Sequence, residues 1–252
     1  MFSWAQRITL YLDSDSPQTC LEILHCTPQL QELRLSFSSS SKSLPHLSNV
    51  LVLPRLRALS LNWAIGSKIL EYLGAPVLQS FRTDMRQADQ WSGLSNFAEL
   101  VARSNCVLRE LTLETCIMSN ERPGIYNQWI KSAALQSLRV FNLHRLNSRD
   151  SSHFSKFLNL LTNNDPPLLP HLDSLRIRDC EFRVRLPPLV HMLTARRAGT
   201  LQSFYLSFKE DVDDWSFQYF TPGLLEEPHL ADALVELKRL RAGGLRVDPF
   251  KR

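Results

Sequence analysis

Leu30-Gln31-Glu32-Leu33-Arg34-Leu35 sets out a phrase that recurs along this chain. It is an apolar residue, two variable residues, an apolar residue, one variable residue and a last apolar residue. The phrase returns as Leu56-Arg57-Ala58-Leu59-Ser60-Leu61 and, more weakly, as Leu78-Gln79-Ser80-Phe81-Arg82-Thr83. Further copies are Leu108 to Leu113, Leu138 to Leu143, Leu172 to Ile177 and Leu201 to Leu206. A degenerate first copy starts at Ala5, with Ile8 and Leu10 at its two inner positions. Successive copies begin 25, 26, 22, 30, 30, 34 and 29 residues apart. Leu135-Gln136-Ser137-Leu138-Arg139-Val140 fits the phrase too, and the Leu138 start is preferred because it evens the spacing.

The last two apolar residues of each copy are two positions apart, which puts both on one face of a short strand. The leading leucine fills the turn into that strand. Between strands the period changes to that of a helix. Leu94, Phe97, Ala98 and Val101 follow it, as do Phe154, Phe157, Leu158 and Leu161. Leu189, Met192 and Leu193 do the same, and so do Leu230, Ala233, Leu234 and Leu237. Ser16-Pro17 supplies a cap and a first-turn proline ahead of Cys20, Ile23 and Leu24. Units of strand, turn and helix bury their apolar faces only against neighbouring units.

A phrase of this form at this period is the signature of a leucine-rich repeat. The sequence therefore predicts an α/β leucine-rich-repeat solenoid of about eight irregular repeats. Its curved parallel sheet would line the concave side and its helices the convex side. One domain would span residues 1–252, with a degenerate, uncapped first repeat over 1–15 and a closing helix and strand over 228–252. The closing helix is expected from about His229 to Arg241.

Composition agrees with a folded, water-facing chain: 44% of residues are hydrophobic and 21% charged. The formal charge of +4 is well short of the clustered basic surface of a nucleic-acid binder. Its longest basic runs, Arg196-Arg197 and Lys238-Arg239 with Arg241, follow helix-like stretches and are read as solvated helix ends. No uninterrupted apolar stretch is long enough to cross a membrane, and a charge at Arg7 interrupts any export-signal core. The five cysteines show no C-x-x-C spacing, which argues against a disulfide framework or a zinc site. An intracellular location, cytoplasmic or nuclear, is expected. Cys116 and Cys180 stand three residues past the second inner position, where leucine-rich repeats turn an Asn or Cys inward.

The irregular period, the cysteine at the turn and three longer phrases carry a resemblance. They are Leu53-Pro-Arg-Leu-Arg-Ala-Leu-Ser-Leu61, Leu73-Gly-Ala-Pro-Val-Leu-Gln-Ser80 and Thr27-Pro-Gln-Leu-Gln-Glu-Leu-Arg-Leu35. They resemble the repeat regions of fungal, mushroom-type F-box/leucine-rich-repeat proteins, as does the ending Leu234 to Leu240 with Gly244 to Val247. The resemblance implies a substrate receptor whose repeats hold a target protein while a separate F-box recruits a ubiquitin ligase through a Skp-type adaptor. No F-box is seen, since the first strand is expected near Arg7. Adaptor binding is therefore expected only if an F-box lies upstream, and the chain is read as a fragment of a longer receptor. The alternatives are a stand-alone leucine-rich-repeat binding protein and, less favoured, a nucleic-acid-binding solenoid.

The variable residues flanking the inner apolar ones should form the partner-binding face. The earlier copies give Arg34 and Arg82, together with Arg7, Thr9, Tyr11, Glu32, Ser36, Ser60, Asn62 and Asp84. The later copies give Glu110, Glu114, Asn142, His144, Arg176, Arg178 and Tyr205, together with Thr112 and Ser207. Acidic residues gather at Asp84, Glu110 and Glu114. Arg and Tyr are enriched at interface hot spots, which singles out Arg176, Arg178 and Tyr205. The seven histidines show no metal-ligand spacing, and neither a nucleophile elbow nor a phosphate-cradling glycine loop occurs. His144 beside Glu114 is read as a surface pair rather than an acid–base site. No catalytic residue, cofactor or metal is expected, and the target protein is unknown.

Overall fold

The computed structural model describes residues 9–13, 17–36, 50–62, 66–84, 91–114, 130–145, 151–162, 167–180, 186–197, 199–208 and 228–248. The fold is α/β with parallel strands, and the chain forms two compact units. One comprises Met1–Glu114 with Gly124–Leu135, the other Thr115–Pro123 with Gln136–Arg252.

In the first unit, five strands lie side by side in chain order, all parallel: β1 (Thr9–Asp13), β2 (Glu32–Ser36), β4 (Ala58–Asn62), β6 (Ser80–Asp84) and β7 (Glu110–Glu114). Two short strands, β3 (Leu51–Val52) and β5 (Leu73–Gly74), pair separately. The other elements are α1 (Pro17–His25), a 3-10 segment Gly66–Tyr72, α2 (Trp91–Ser104) and a 3-10 turn Ala133–Leu135. The pairing aligns the sequence phrase without a slip. Leu10, Leu33, Leu59, Phe81 and Leu111 form one row, and Leu12, Leu35, Leu61, Thr83 and Leu113 the next.

The first copy departs from expectation. Its inner residues are Leu10 and Leu12, paired with Leu33 and Leu35. Ile8 and Leu10 were the residues expected there, and Ile8 lies outside the described residues. Ile8, Leu10 and Leu12 alternate with polar residues, so the period alone allows either pair; the neighbouring ladder chooses.

Packing explains the phrase. From β2 to β7 both rows are buried, as are the leading Leu30, Leu56, Leu78 and Leu108. Helix α2 buries Leu94, Phe97, Leu100 and Val101. Its Phe97 stacks on strand residue Phe81, with ring centroids 3.9 Å apart and planes 12° from parallel. Each fully buried side chain of this kind contributes about 1.5–3 kcal/mol. The turns are built alike. The N–H groups of Leu30, Leu56 and Leu78 donate to the carbonyls of Thr27, Leu53 and Ala75, three residues back, at 3.1, 3.2 and 3.1 Å. A proline (Pro28, Pro54, Pro76) is the second residue of each turn, where its fixed φ suits the bend. The residue after each leading leucine then uses its carbonyl to link one copy to the next. Gln31 accepts from the N–H groups of Arg57 and Ala58, Arg57 from Gln79 and Ser80, and Gln79 from Arg109 and Glu110. These links use backbone groups alone.

The second unit repeats the scheme with β8 (Val140–His144), β9 (Ser174–Cys180), β10 (Ser203–Phe208) and β11 (Arg246–Asp248), parallel and in that order. Phe141, Leu175, Phe204 and Val247 share one row; Leu143, Ile177 and Leu206 share the next. The strand over Val140–His144 bears out the Leu138 start. Helices α3 (Ser151–Thr162) and α4 (Leu186–Arg197) supply the buried Phe154, Phe157, Leu158, Leu161, Leu189, Met192 and Leu193. Phe157 meets Phe141 edge to face, with centroids 6.2 Å apart. Helix α5 (Pro228–Ala242) closes the unit, one residue longer at each end than expected, and Gly244 at φ 97° makes the left-handed turn into β11. The pairing of β9 with β10 shifts register near Leu206 and Phe208, where Asp179 adopts φ 54° and its N–H donates to the Ser207 hydroxyl at 3.2 Å.

One expectation fails here. Arg196 is no solvated helix end: it is only 7% exposed. Its guanidinium donates to the carbonyls of Leu161, Leu168 and Leu169, closing the end of the preceding copy. Burial pulls its pKa below the ordinary guanidinium value. Arg197 likewise donates to the Gly243 carbonyl. In the first unit Arg103 has the matching role, donating to the carbonyls of Leu70 and Leu73. Arg103 and Arg196 each stand five residues before a leading leucine, Leu108 and Leu201. That shared spacing is a signal the sequence carried.

Candidate functional site

Because side chains alternate along a strand, burying the two inner rows turns the intervening residues to the opposite face. In the first unit this face carries Tyr11, Arg34, Ser60, Arg82 and Thr112 in one row. Tyr11 is 63% exposed, and the Arg34 guanidinium lies over its ring, 5.0 Å from the centroid. Thr9 donates to the Glu32 carboxylate at 3.2 Å. Arg82 forms an ion pair with Glu114 on the neighbouring strand, with their side chains 49% and 29% exposed. An open hollow of about 300 Å³ lies among these residues, lined by Tyr11, Leu12, Arg34, Leu35, Ser36, Ser60, Leu61, Asn62, Arg82, Asp84 and Glu114.

The acidic grouping expected in this unit is less available than the sequence suggests. Asp84 and Thr112 are each 7% exposed despite their outward register, and Glu110 is half-buried. Glu114 is engaged by Arg82. Arg7 lies outside the described residues.

In the second unit Asn142, Arg176 and Tyr205 form one row across the strands, and His144 stands beside Arg178 in the next. Arg176 is exposed, whereas His144, Arg178 and Tyr205 are half-buried. Arg178 lies over the Tyr205 ring, 5.3 Å from its centroid. Asn142 and Ser207 are each 6% exposed, so they offer little surface to a partner. The tyrosine–arginine stacking in both units was not legible in the sequence, because the pairing register decides it.

The described cysteines range from buried to exposed. Cys20 and Cys180 are buried, Cys106 is half-buried and Cys26 exposed, all as free thiols. Burial, reinforced by the charge of Asp179, pushes the Cys180 thiol far above its ordinary value. Burial also raises Cys106, with a backbone hydrogen bond working the other way. Such thiols hold their protons and are poor nucleophiles. Cys116 lies outside the described residues. Among the described residues no group of three or more His, Cys, Asp or Glu is arranged to hold a metal ion, and no helix is long and apolar enough to cross a membrane.

The class these observations define is a parallel α/β protein with a polar, arginine- and tyrosine-bearing strand face in each unit. Comparison of the chain with protein-family models, curated proteins and solved structures finds no match.

Proposed function

We propose that this chain is a leucine-rich-repeat solenoid that holds a partner protein on the outward face of its strands. We infer further that it is the substrate-recognition part of an F-box-type ubiquitin-ligase receptor and is not itself an enzyme. One observation carries the binding reading. The middle position of the phrase bears Tyr11, Arg34 and Arg82 in one unit and Arg176 and Tyr205 in the other; the first four are exposed and Tyr205 is half-buried. Tyr and Arg combine large contact area with charge-assisted hydrogen bonding, the pattern of interface hot spots. Placing them on strands keeps them in fixed geometry at small entropic cost.

The test is affinity capture from cell extract with the wild-type chain and the Arg176→Glu/Arg178→Glu variant. Loss of a captured protein at unchanged melting temperature supports the reading; identical capture removes this face from it. The ligase role is tested separately, through the full transcript. An in-frame F-box upstream of Met1, whose product co-purifies with a Skp-type adaptor, supports it. A full-length product without that module leaves a stand-alone binding protein.

A further inference from the structure

The two units treat their outward arginines differently. In the first, Arg82 is neutralised by Glu114, and Arg34, lying over Tyr11, is a single arginine on its strand. In the second, Arg176 and Arg178 stand two residues apart on the same face of β9, about 7 Å apart along the strand. Among the described residues neither has a carboxylate partner. Arg176 is exposed, and the Nε of Arg178 is covered without a hydrogen-bond acceptor. Asp179, the next residue, forms no ion pair with either among the described residues. Asp248 shares the row of Arg176 but stands two strands away, on β11.

We propose that this patch is the recognition site for an extended acidic peptide segment of the partner, with carboxylates at alternate positions. The inference rests on the reading that the strand face binds a protein. An extended chain repeats every two residues at the same rise as β9, so alternate acidic side chains match the Arg176–Arg178 spacing without adjustment. Tyr205 fixes the Arg178 guanidinium from one side, so less side-chain freedom is lost when a carboxylate binds. The carboxylates then add charge-assisted hydrogen bonds to the exposed Arg176 guanidinium and to the accessible part of Arg178. Two arginines held this close repel one another, and an acidic ligand relieves that repulsion. Among the described residues the patch has too few cations to follow a phosphate backbone, which favours a peptide over a nucleic acid.

The test is fluorescence anisotropy on the full chain at low salt, with a dye-labelled short peptide of alternating glutamate and serine. The control peptides carry glutamine for glutamate, and an oligothymidylate of similar length is the third probe. The acidic peptide is expected to bind roughly tenfold or more tightly than the glutamine peptide, and Arg176→Gln/Arg178→Gln should erase that difference. Arg55→Gln, on an exposed turn, should leave it in place at the same melting temperature. Equal binding of the two peptides, binding indifferent to the double substitution, or arginine-dependent binding of oligothymidylate alone overturns the proposal. Failure of the peptide while Arg176→Glu/Arg178→Glu still abolishes partner capture would mean that the acidic chemistry is wrong and the face is right. Failure of both removes the face as well.

Discussion

The Nε of Arg196 donates to the carbonyl of Leu161 at 2.8 Å, across 35 residues of sequence. The same guanidinium serves Leu168 and Leu169, so one buried cation closes three carbonyls of the preceding copy. Arg196→Ala should therefore cost about 3 kcal/mol, because those carbonyls lose a charged donor in a place water does not reach. Arg103→Ala removes the matching bonds at an exposed residue and should cost roughly 1 kcal/mol. Urea unfolding of the two variants checks the order; an equal loss would contradict the role given to burial.

Phe81 and Phe97 join strand to helix in the first unit. Phe81→Ala should destabilise by about 3–5 kcal/mol, through lost burial and the cavity left behind. The stacked geometry adds a pairwise part: a double-mutant cycle with Phe97→Leu should show coupling of about 0.5–1.5 kcal/mol. Additive losses would mean that the rings act only as buried area.

Cys180 gives an alkaline signature. Its folded pKa is raised, so the neutral thiol is favoured in the folded state. That stability is fully present below the unfolded value of 9.0 and is lost as the pH rises past it towards the folded value. Cys180→Ala should flatten the fall in stability above that pH. A thiol reagent should label exposed Cys26 in the native chain and reach Cys180 only on unfolding.

The Arg82–Glu114 pair is exposed enough that water and salt screen it. Arg82→Ala should change stability by less than about 1 kcal/mol, and added salt should remove that difference. Partner capture is the sensitive measurement here. If the first unit's face binds, the substitution should weaken capture while leaving the melting temperature nearly unchanged.

Much of this architecture is written locally. A period of two with Leu, Ile or Phe at both inner positions specifies a strand with one buried face, and a period of 3.6 specifies the helices behind it. Proline at the second residue of the turn and leucine at its end specify the bend. The even spacing that favours Leu138 over Leu135 also chose the register of β8 correctly. All of these depend on near neighbours in the chain, so the sequence determined them by itself: the alternation of strand and helix, the core rows from the second copy onward and the set of residues turned outward.

Other features depend on which side chains meet across strands, and no single copy contains that information. The frame of the first strand is one, since Ile8, Leu10 and Leu12 alternate alike and only pairing with Leu33 and Leu35 selects the last two. Shielding is another: Asp84 and Asn142 hold outward positions yet are almost covered. Arg34 finds Tyr11, Arg82 finds Glu114 and Arg178 finds Tyr205 only once the strands are in register. Arg196 reads in sequence as a charged helix end, and tertiary packing makes it a buried donor because three carbonyls of an earlier copy converge on it. The chain's own periodicity chose which residues face outward; the neighbouring strands decided which of them are paired, covered or exposed.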